Sequence, residues 1–454
     1  MDTLTADLVV IGFGKGGKTL AAAWGKQGRR VVMVEQSAQM YGGTCINIGC
    51  VPTKSMVYGA EHLEPGSPHA FAYRAAVDAT AHLTDYLRGR NFAMLDDLET
   101  VTVLTGRAQF VDATTIRVDD VDGTVHTVTA TNIVVGTGSE AVLPDIPGLS
   151  GNPRVVTSTE LLVQPDLPAR LVVLGGGYVG LEFAAMFAGY GSAVTVLEKH
   201  DRILGNEDDD VAAAVGDLLT GAGVQVITGA QIDEIAGEGV HFTQDGQSRT
   251  VCGDLVLVAL GRRAVTAGLG LDRAGVDTRP DGSIVVDEYL RTSAPHIFAV
   301  GDVNGGPQFT YISLDDYRIV AQQLDGSGNR RTTDRSAVPF SLFLTPPLSR
   351  VGLTEKAARA AGLTVKVAAM KVADMATVPR ARIVGDPRGM MKVVVDADTD
   401  TIVGAALLSH DSHEVINTVA LAMRHGITAS ALRDEIYTHP SMTEAFNQLL
   451  GALR

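Results

Sequence analysis

Cysteine is scarce in this sequence, with three in 454 residues. That excludes a disulfide-stapled fold, which belongs to small secreted domains. Aromatic residues are few, at 5% with a single tryptophan, whereas glycine reaches 50 residues. A chain rich in Gly, Ala and Val and poor in aromatics has the composition of an α/β nucleotide-binding protein. Excess positive charge is missing too. The net charge of −15 offers nucleic acid no basic stripe and favours solubility. No stretch approaches the roughly 18 uninterrupted apolar residues of a membrane span. The first apolar run, residues 8–11, is too short for a secretory signal, and the residues before it are acidic rather than basic. These absences point to no nucleic acid, no membrane and a cytoplasmic, reducing location. There a cysteine pair stays reduced unless something keeps oxidising it. The length allows two or three domains.

What is present is concentrated. Two of the three cysteines, Cys45 and Cys50, lie in Gly42-Gly43-Thr44-Cys45-Ile46-Asn47-Ile48-Gly49-Cys50-Val51-Pro52-Thr53-Lys54. A close pair in a cysteine-poor chain signals redox or metal chemistry. Zinc would need another ligand pair, and none follows at the usual spacing, so no metal is expected. Two buried cysteines adjacent by chance are the bland alternative. The flanking glycines and Pro52 weigh against it.

Upstream stands a βαβ pattern. Residues 8–11 read as a buried strand, residues 18–24 as a helix with Gly28 past its end, and residues 30–34 as a second strand closed by Glu35. Gly12, Gly14 and Gly17 form the dinucleotide fingerprint, whose glycines let the backbone approach a pyrophosphate at the helix N-terminus. Glu35 stands where a carboxylate accepts hydrogen bonds from a ribose. The same stretch, Gly12-Phe13-Gly14-Lys15-Gly16-Gly17-Lys18-Thr19, also satisfies the phosphate loop of NTPases, with Asp302 offered as the magnesium ligand. That alternative gives no role to Glu35, the cysteine pair or a second fingerprint. The second is Gly175-Gly176-Gly177-Tyr178-Val179-Gly180, set between a strand at 171–174 and a helix at 181–189. A strand at 194–197 then delivers Glu198. Two fingerprints, each followed by an acid, predict two bound dinucleotides.

Elsewhere the pattern predicts a helix from the cysteine stretch to about residue 58 and a helical segment over 70–98. Strands are expected at 101–104, 115–118, 125–128 and 133–135, with a hairpin turn at Asp122-Gly123. Gly136-Thr137-Gly138-Ser139 ends a buried strand, and Pro144 and Pro147 mark a boundary. A strand at 255–260 precedes Gly261-Arg262. Residues 271–290 read as a loop and a short strand, residues 292–302 as a strand delivering Asp302, and residues 325–334 as a polar linker. From residue 338, strands at 340–344, 365–369, 390–395 and 402–408 lead to helices at about 413–425 and 442–453, a separate α+β domain. Cys252 reads as a small buried hydrophobe. His410, His413 and His425 read as surface or interface histidines.

With these residues in hand, the chain resembles the FAD-dependent pyridine nucleotide–disulfide oxidoreductases, such as glutathione reductase, lipoamide dehydrogenase and mercuric reductase. The resemblance covers the whole chain. It rests on the first fingerprint, Cys45 through Lys54, Gly136-Thr137-Gly138, Gly175 to Gly180, residues 292–302, and His439-Pro440 with Glu444. Met40-Tyr41-Gly42-Gly43-Thr44-Cys45-Ile46-Asn47-Ile48-Gly49-Cys50, with Gly12-Phe13-Gly14-Lys15, is similar to one branch, the reactive-chlorine-resistance flavoproteins, also described as hypothiocyanite reductases. The implied fold is α/β, with two Rossmann-like dinucleotide-binding domains and a C-terminal α+β dimerisation domain. FAD would occupy a discontinuous domain, 1–150 and 270–337. NAD(P) would occupy 151–269, and 338–454 would form the interface of a homodimer.

The resemblance also implies roles. Glu35 would bind the adenosine ribose of FAD, Ala108 would offer its backbone to the adenine, and Asp302 would meet the ribityl–phosphate region. Gly43, Thr44, Thr137, Gly138, Gly261 and Arg262 would complete the cofactor contacts. Cys50 would lie against the flavin, and Cys45 would attack the substrate. Lys54 would reach the isoalloxazine, paired with Glu182, and Tyr178 would stand where nicotinamide docks. His439, held by Glu444, would come from the other subunit as acid/base for Cys45, as triad logic allows. Gly175, Gly177, Gly180 and Glu198 would hold the nicotinamide cofactor. The carboxylate favours NADH, and Lys199 and His200 beside it leave NADPH usable. The expected partner is a small oxidant of the hypothiocyanite or hypochlorous type. Cu(II), Hg(II), lipoamide and other disulfides are alternatives. A flavin-bound sensor without turnover is the rival of another class, alongside the NTPase. Two departures from relatives stand out: Ala264-Val265 follows Gly261-Arg262-Arg263, and no cysteine follows Cys252.

Overall fold

The computed structural model describes residues 2–454, which divide into two units. The first comprises the chain up to Met56, Ala75–Val142 and Gly261–Asp334. It is built on a six-stranded sheet. Strand Asp2–Ile11 runs parallel to Val31–Glu35 on one side and to Val125–Val135 on the other. Ile297–Ala299 extends the parallel set beyond Val125–Val135. Leu8, Val9 and Val10 are all buried, as expected of a strand covered on both faces. Helix Lys15–Lys26 packs Leu20, Ala21 and Trp24 against one face. Phe110, Ile116, Ile133 and Ile297 fill the other.

Two separate strands were expected at 125–128 and 133–135; the structure has one, Val125–Val135. Thr129-Ala130-Thr131-Asn132 looks like a break in sequence. The parallel ladder to the first strand spans it, pairing Thr5 with Thr129 and Leu8 with Asn132. Asp122-Gly123 turns the hairpin as expected, with Gly123 at φ +89° and Thr115–Asp120 antiparallel to Val125–Val135. No strand forms within 271–290, where a short one was expected. That stretch holds a 3-10 turn at Leu271–Ala274 and a single bridge between Thr278 and Ile284. The helix over 70–98 is His69–Asp96. The helix expected from the cysteines breaks into Thr44–Asn47 and Cys50–Glu61.

The second unit comprises Val57–Arg74, Leu143–Leu260 and Arg335–Arg454. A five-stranded parallel sheet centres on Arg170–Leu174, flanked by Ala193–Leu197 and Leu255–Val258. Helix Tyr178–Gly189 follows the second glycine turn. A three-stranded meander, Gln231–Ala236, Gly239–Gln244 and Gln247–Cys252, joins this region. Its last strand is an edge with mostly exposed residues, which leaves Cys252 exposed rather than buried. The C-terminal part is a five-stranded antiparallel sheet carrying helix Ser412–Arg424 and the shorter helix Ala445–Leu449. Met391, Val393, Leu407, Val419 and Phe446 form its core. No helix among the described residues is long and apolar enough to cross a membrane.

Candidate active site

The two glycine turns are built alike. Gly12 adopts φ +102° and Gly175 φ +108°. A Cβ on Gly12 would lie 2.3 Å from the Gly136 carbonyl oxygen, and one on Gly175 would lie 2.6 Å from that of Ala259. Only glycine meets both demands, the left-handed backbone and the close strand. The third glycines pack the helix onto its own turn: a Cβ on Gly17 would press on Val10 and Gly12, and one on Gly180 on Gly175 and Val173. The middle glycines differ in kind. A Cβ on Gly14 would meet only the Gly136 oxygen, at 3.6 Å, and one on Gly177 would meet nothing within 4 Å. That side of each turn is open, and neither Gly14 nor Gly177 makes a side-chain cap to its helix. A helix N-terminus open on that side is the kind of place where an anion can approach backbone N–H groups, although at the first turn the Gly16 N–H already donates to Ser313 Oγ at 3.0 Å.

In each copy the acid after the second strand folds back onto the turn. Glu35 Oε2 accepts from the Phe13 N–H at 2.9 Å, and Glu198 Oε2 from the Gly176 N–H at 2.7 Å. Burial pushes the Glu35 carboxyl up, and backbone donors from Phe13, Gln36 and Ser37 offset part of that. Burial works against charge on Glu198 as well, but the His200 and Gly176 N–H donors outweigh it and hold the carboxyl below its usual range. His200 Nδ1 lies 2.6 Å from Glu198 Oε1.

The cysteine loop leans on the first turn. Gly43, at φ +80°, comes so close to Gly14 that a Cβ would stand 2.6 Å from its Cα. Buried Asn47 clamps the loop by donating to the Tyr41 and Gly43 carbonyls at 3.0 and 2.9 Å. Thr44 and Cys45 lie on helix Thr44–Asn47, and Cys50 opens the next helix. Neither sulfur is in a disulfide. The Cys45 thiol is pushed well up, first by its hydrogen bond to Cys50 and then by burial. The Thr310 hydroxyl and the Lys18 ammonium pull the other way. Thr310, absent from the sequence reading, opens helix Thr310–Asp325 with its Oγ1 3.7 Å from Cys50 Sγ. No local motif marks it.

Lys18 settles the competing motif. In an NTPase phosphate loop this lysine reaches the phosphates. Here it is 4% exposed and donates to the Gly42 carbonyl at 3.1 Å and to Asn91. Burial, then Lys15, pulls its ammonium down to about 8. It props the cysteine loop from beneath, and the NTPase reading falls.

Asp302 Oδ2 accepts from Ser139 Oγ at 2.6 Å, and Arg262 Nε donates to the same hydroxyl at 2.9 Å. Thr137 donates to the Val265 carbonyl at 2.6 Å, and the Val265 N–H donates to the Gly138 carbonyl at 3.0 Å. The departure at Ala264-Val265 thus has a simple account, because this position works through its backbone. Ala108 lies on strand Val101–Phe110 opposite Val118. Lys54 lies within helix Cys50–Glu61.

In the second unit Glu182 is buried on helix Tyr178–Gly189, and its Oε1 accepts the Phe343 N–H at 2.7 Å. Tyr178 donates to Glu207 Oε1 at 3.0 Å. His439 Nδ1 lies 2.8 Å from Glu444 Oε2, and Glu444 Oε1 accepts the Ser441 N–H at 2.9 Å. The carboxylate therefore orients the ring and fixes one of its nitrogens. The His439 side chain is 65% exposed. Neither Glu207 nor its cationic partner Arg350 was singled out in the sequence.

Comparison with known proteins follows the same lines. Residues 6–316 match the family described as pyridine nucleotide-disulphide oxidoreductase, and residues 338–450 match its dimerisation domain. A probable pyridine nucleotide-disulfide oxidoreductase, RclA of Escherichia coli, is 44% identical over 446 residues, covering 98% of this chain and 99% of that protein. A dihydrolipoyl dehydrogenase of Mycobacterium tuberculosis is 34% identical, covering 98% of each chain. A mercuric reductase of Streptomyces lividans is 35% identical, covering 97% of this chain and 94% of the relative. A solved structure described as a Cu(II) complex of the HOCl-induced flavoprotein disulfide reductase RclA superposes with a TM-score of 0.93 at 44% identity. It covers 98% of this chain and 99% of that one.

Proposed function

The chain belongs to the pyridine nucleotide–disulfide oxidoreductases, a family of flavoprotein enzymes, and on that premise we propose that it uses NADH to reduce a small reactive oxidant through Cys45 and Cys50. The observation that carries the proposal is the close cysteine pair, with Cys45 half-buried and Cys50 exposed at a helix N-terminus. The residues fit the two dinucleotides. The open sides of Gly14 and Gly177, the uncapped helix ends and the two carboxylates are what a pyrophosphate and a ribose need. Glu35, Ala108, Gly43, Thr44, Thr137, Gly138 and Asp302 would hold FAD, and Lys54 would reach its ring system. When bound, FAD accepts two electrons from the nicotinamide and passes them to a disulfide.

The remaining steps belong to the chain. His439 of the partner subunit, oriented by its Glu444, takes the proton from Cys45. The Cys45 thiolate attacks the electrophilic sulfur or chlorine of the oxidant and expels hydroxide. Cys50 then attacks Cys45, releasing thiocyanate or chloride as the S–S bond forms. The dithiol loses two electrons, the oxidant gains them, and a thiol proton converts hydroxide to water. An accessible Cys45 suffices, and no large substrate cleft is needed. The setting expected for this chemistry is a homodimer in the cytoplasm.

Acceptor preference tests the proposal. With hypothiocyanite, kcat/KM should exceed that for glutathione disulfide or lipoamide by roughly tenfold or more. Cu(II) and Hg(II) belong in the same panel, because a related structure is described as a Cu(II) complex. Efficient turnover of a large disulfide with only background activity on hypothiocyanite would move the chain to another branch of the family. Cofactor preference is a separate expectation. Glu198 places a negative charge where a 2′-phosphate would sit, and His200 shields only part of it. NADH should be preferred by roughly tenfold in kcat/KM. A clear preference for NADPH would refute the assignment of Glu198.

A further inference from the structure

Tyr178 is held by more than its own helix. Its hydroxyl donates to Glu207 Oε1 at 3.0 Å, and Arg350 Nη1 stands 3.0 Å from Glu207 Oε2. The Glu207 and Arg350 side chains are 2% and 5% exposed. Glu207 Oε2 has no aligned donor, so the attraction to Arg350 is ionic. Burial pushes the Glu207 carboxyl up and Arg350 counters it. The Tyr178 ring meets Phe340 edge-on at 5.5 Å.

Glu207 cannot follow the ring if it turns. The next residue, Asp208, accepts the Glu355 and Lys356 N–H groups at 2.9 and 3.1 Å. Lys392 Nζ lies 3.1 Å from Asp208 and 2.9 Å from both Asp210 and Glu355. The segment carrying Glu207 is therefore pinned to the C-terminal sheet, and any rotation of Tyr178 breaks the phenol–carboxylate bond rather than dragging its acceptor along.

We propose that Glu207 and Arg350 are positioning residues for Tyr178: their buried ion pair latches the phenol, and nicotinamide docking must work against that latch. The proposal rests on the reading that Tyr178 stands where nicotinamide docks. A latched fraction lowers apparent affinity in proportion to its population. Cutting the latch should therefore lower the KM for NADH, while the reaction of the reduced enzyme with its oxidant stays unchanged.

The test uses the FAD-loaded enzyme. Tyr178→Phe removes the hydroxyl. The double variant Glu207→Leu/Arg350→Leu removes both buried charges together, a replacement that folds tolerate. Each should lower the KM for NADH by about three- to tenfold. The triple variant should show no further fall, because all three residues act as one unit. Arg350→Lys keeps a cation against Glu207 and should stay near the wild-type KM. A wild-type KM in the Glu207→Leu/Arg350→Leu enzyme, with a lowered KM in Tyr178→Phe, overturns the latch. So do additive effects in the triple variant. If Tyr178→Phe and Tyr178→Ala both leave the KM and the rate of flavin reduction by NADH unchanged, the placement of Tyr178 at the nicotinamide site is what fails.

Discussion

Cys50→Ser is expected to cut turnover with every acceptor by roughly a thousandfold or more, as loss of a covalent participant does. It should also remove the long-wavelength absorbance that a thiolate gives beside oxidised flavin. Cys45→Ser should lose as much turnover and keep that absorbance. The asymmetry follows from the site. Cys50 is the first residue of a 12-residue helix, where the positive end of the helix favours a thiolate. Cys45 is half-buried, and its hydrogen bond to Cys50 and partial burial push its thiol up. Thr310, 3.7 Å from Cys50, adds a hydroxyl that can donate to the charged sulfur. Partial reduction of each variant by dithionite, followed across the visible spectrum, separates the two sulfurs. Equal spectra in the two variants, or wild-type turnover in both, would end the relay.

His439→Ala should slow reaction of the reduced enzyme with its oxidant by about a hundredfold or more, as loss of a positioned base does. Flavin reduction by NADH should remain at the wild-type rate. Glu444→Gln should cost less, because the amide can still meet His439 Nδ1, 2.8 Å away in the structure. Stopped-flow measurement of the two half-reactions makes the distinction. The exposure of His439 adds a sharper test, since a base facing outward can serve a second subunit. Co-expression of Cys45→Ser and His439→Ala chains should restore about a quarter of wild-type activity, because half of the dimers are mixed and each mixed dimer holds one complete site. No restored activity would place the base within one chain.

What could be read from the sequence was what local sterics demand. Gly12, Gly17, Gly175 and Gly180 announce themselves because each replaces a Cβ that would collide with backbone or a neighbouring strand. Cys45 and Cys50 stood out because the rest of the chain has so little cysteine. His439 and Glu444 are five residues apart and their contact was anticipated. The missed residues depend on distant partners. Arg350 meets Glu207 and Thr310 meets Cys50 across 143 and 260 positions, and neither carries a local signature. Lys18 fitted two motifs, and only the direction of its side chain, toward Gly42, chose between them. Cys252 was misplaced because strand propensity does not reveal which strand is an edge. The strand at Val125–Val135 was divided because a partner ladder held polar residues that sequence alone would release.

The two carboxylates that fold back on their turns have a consequence for anyone redesigning this protein. The spacing is the same in both copies, 22 residues from turn N–H to acid. One oxygen of each is thus committed to the architecture of the loop before any ribose arrives, and in Glu198 the other already accepts the His200 N–H, so a ribose hydroxyl there would share it. The ordering of the loop belongs to folding rather than to association, which favours tight binding by a pre-shaped host. Exchanging Glu198 for a neutral or basic side chain to change coenzyme preference would therefore alter two properties together. The Gly176 N–H would lose its acceptor as the repulsion disappeared, and the gain in tolerance would come with a slacker host. A successful redesign would restore that fastening from elsewhere, with a hydroxyl or amide on a neighbouring residue, before changing the charge.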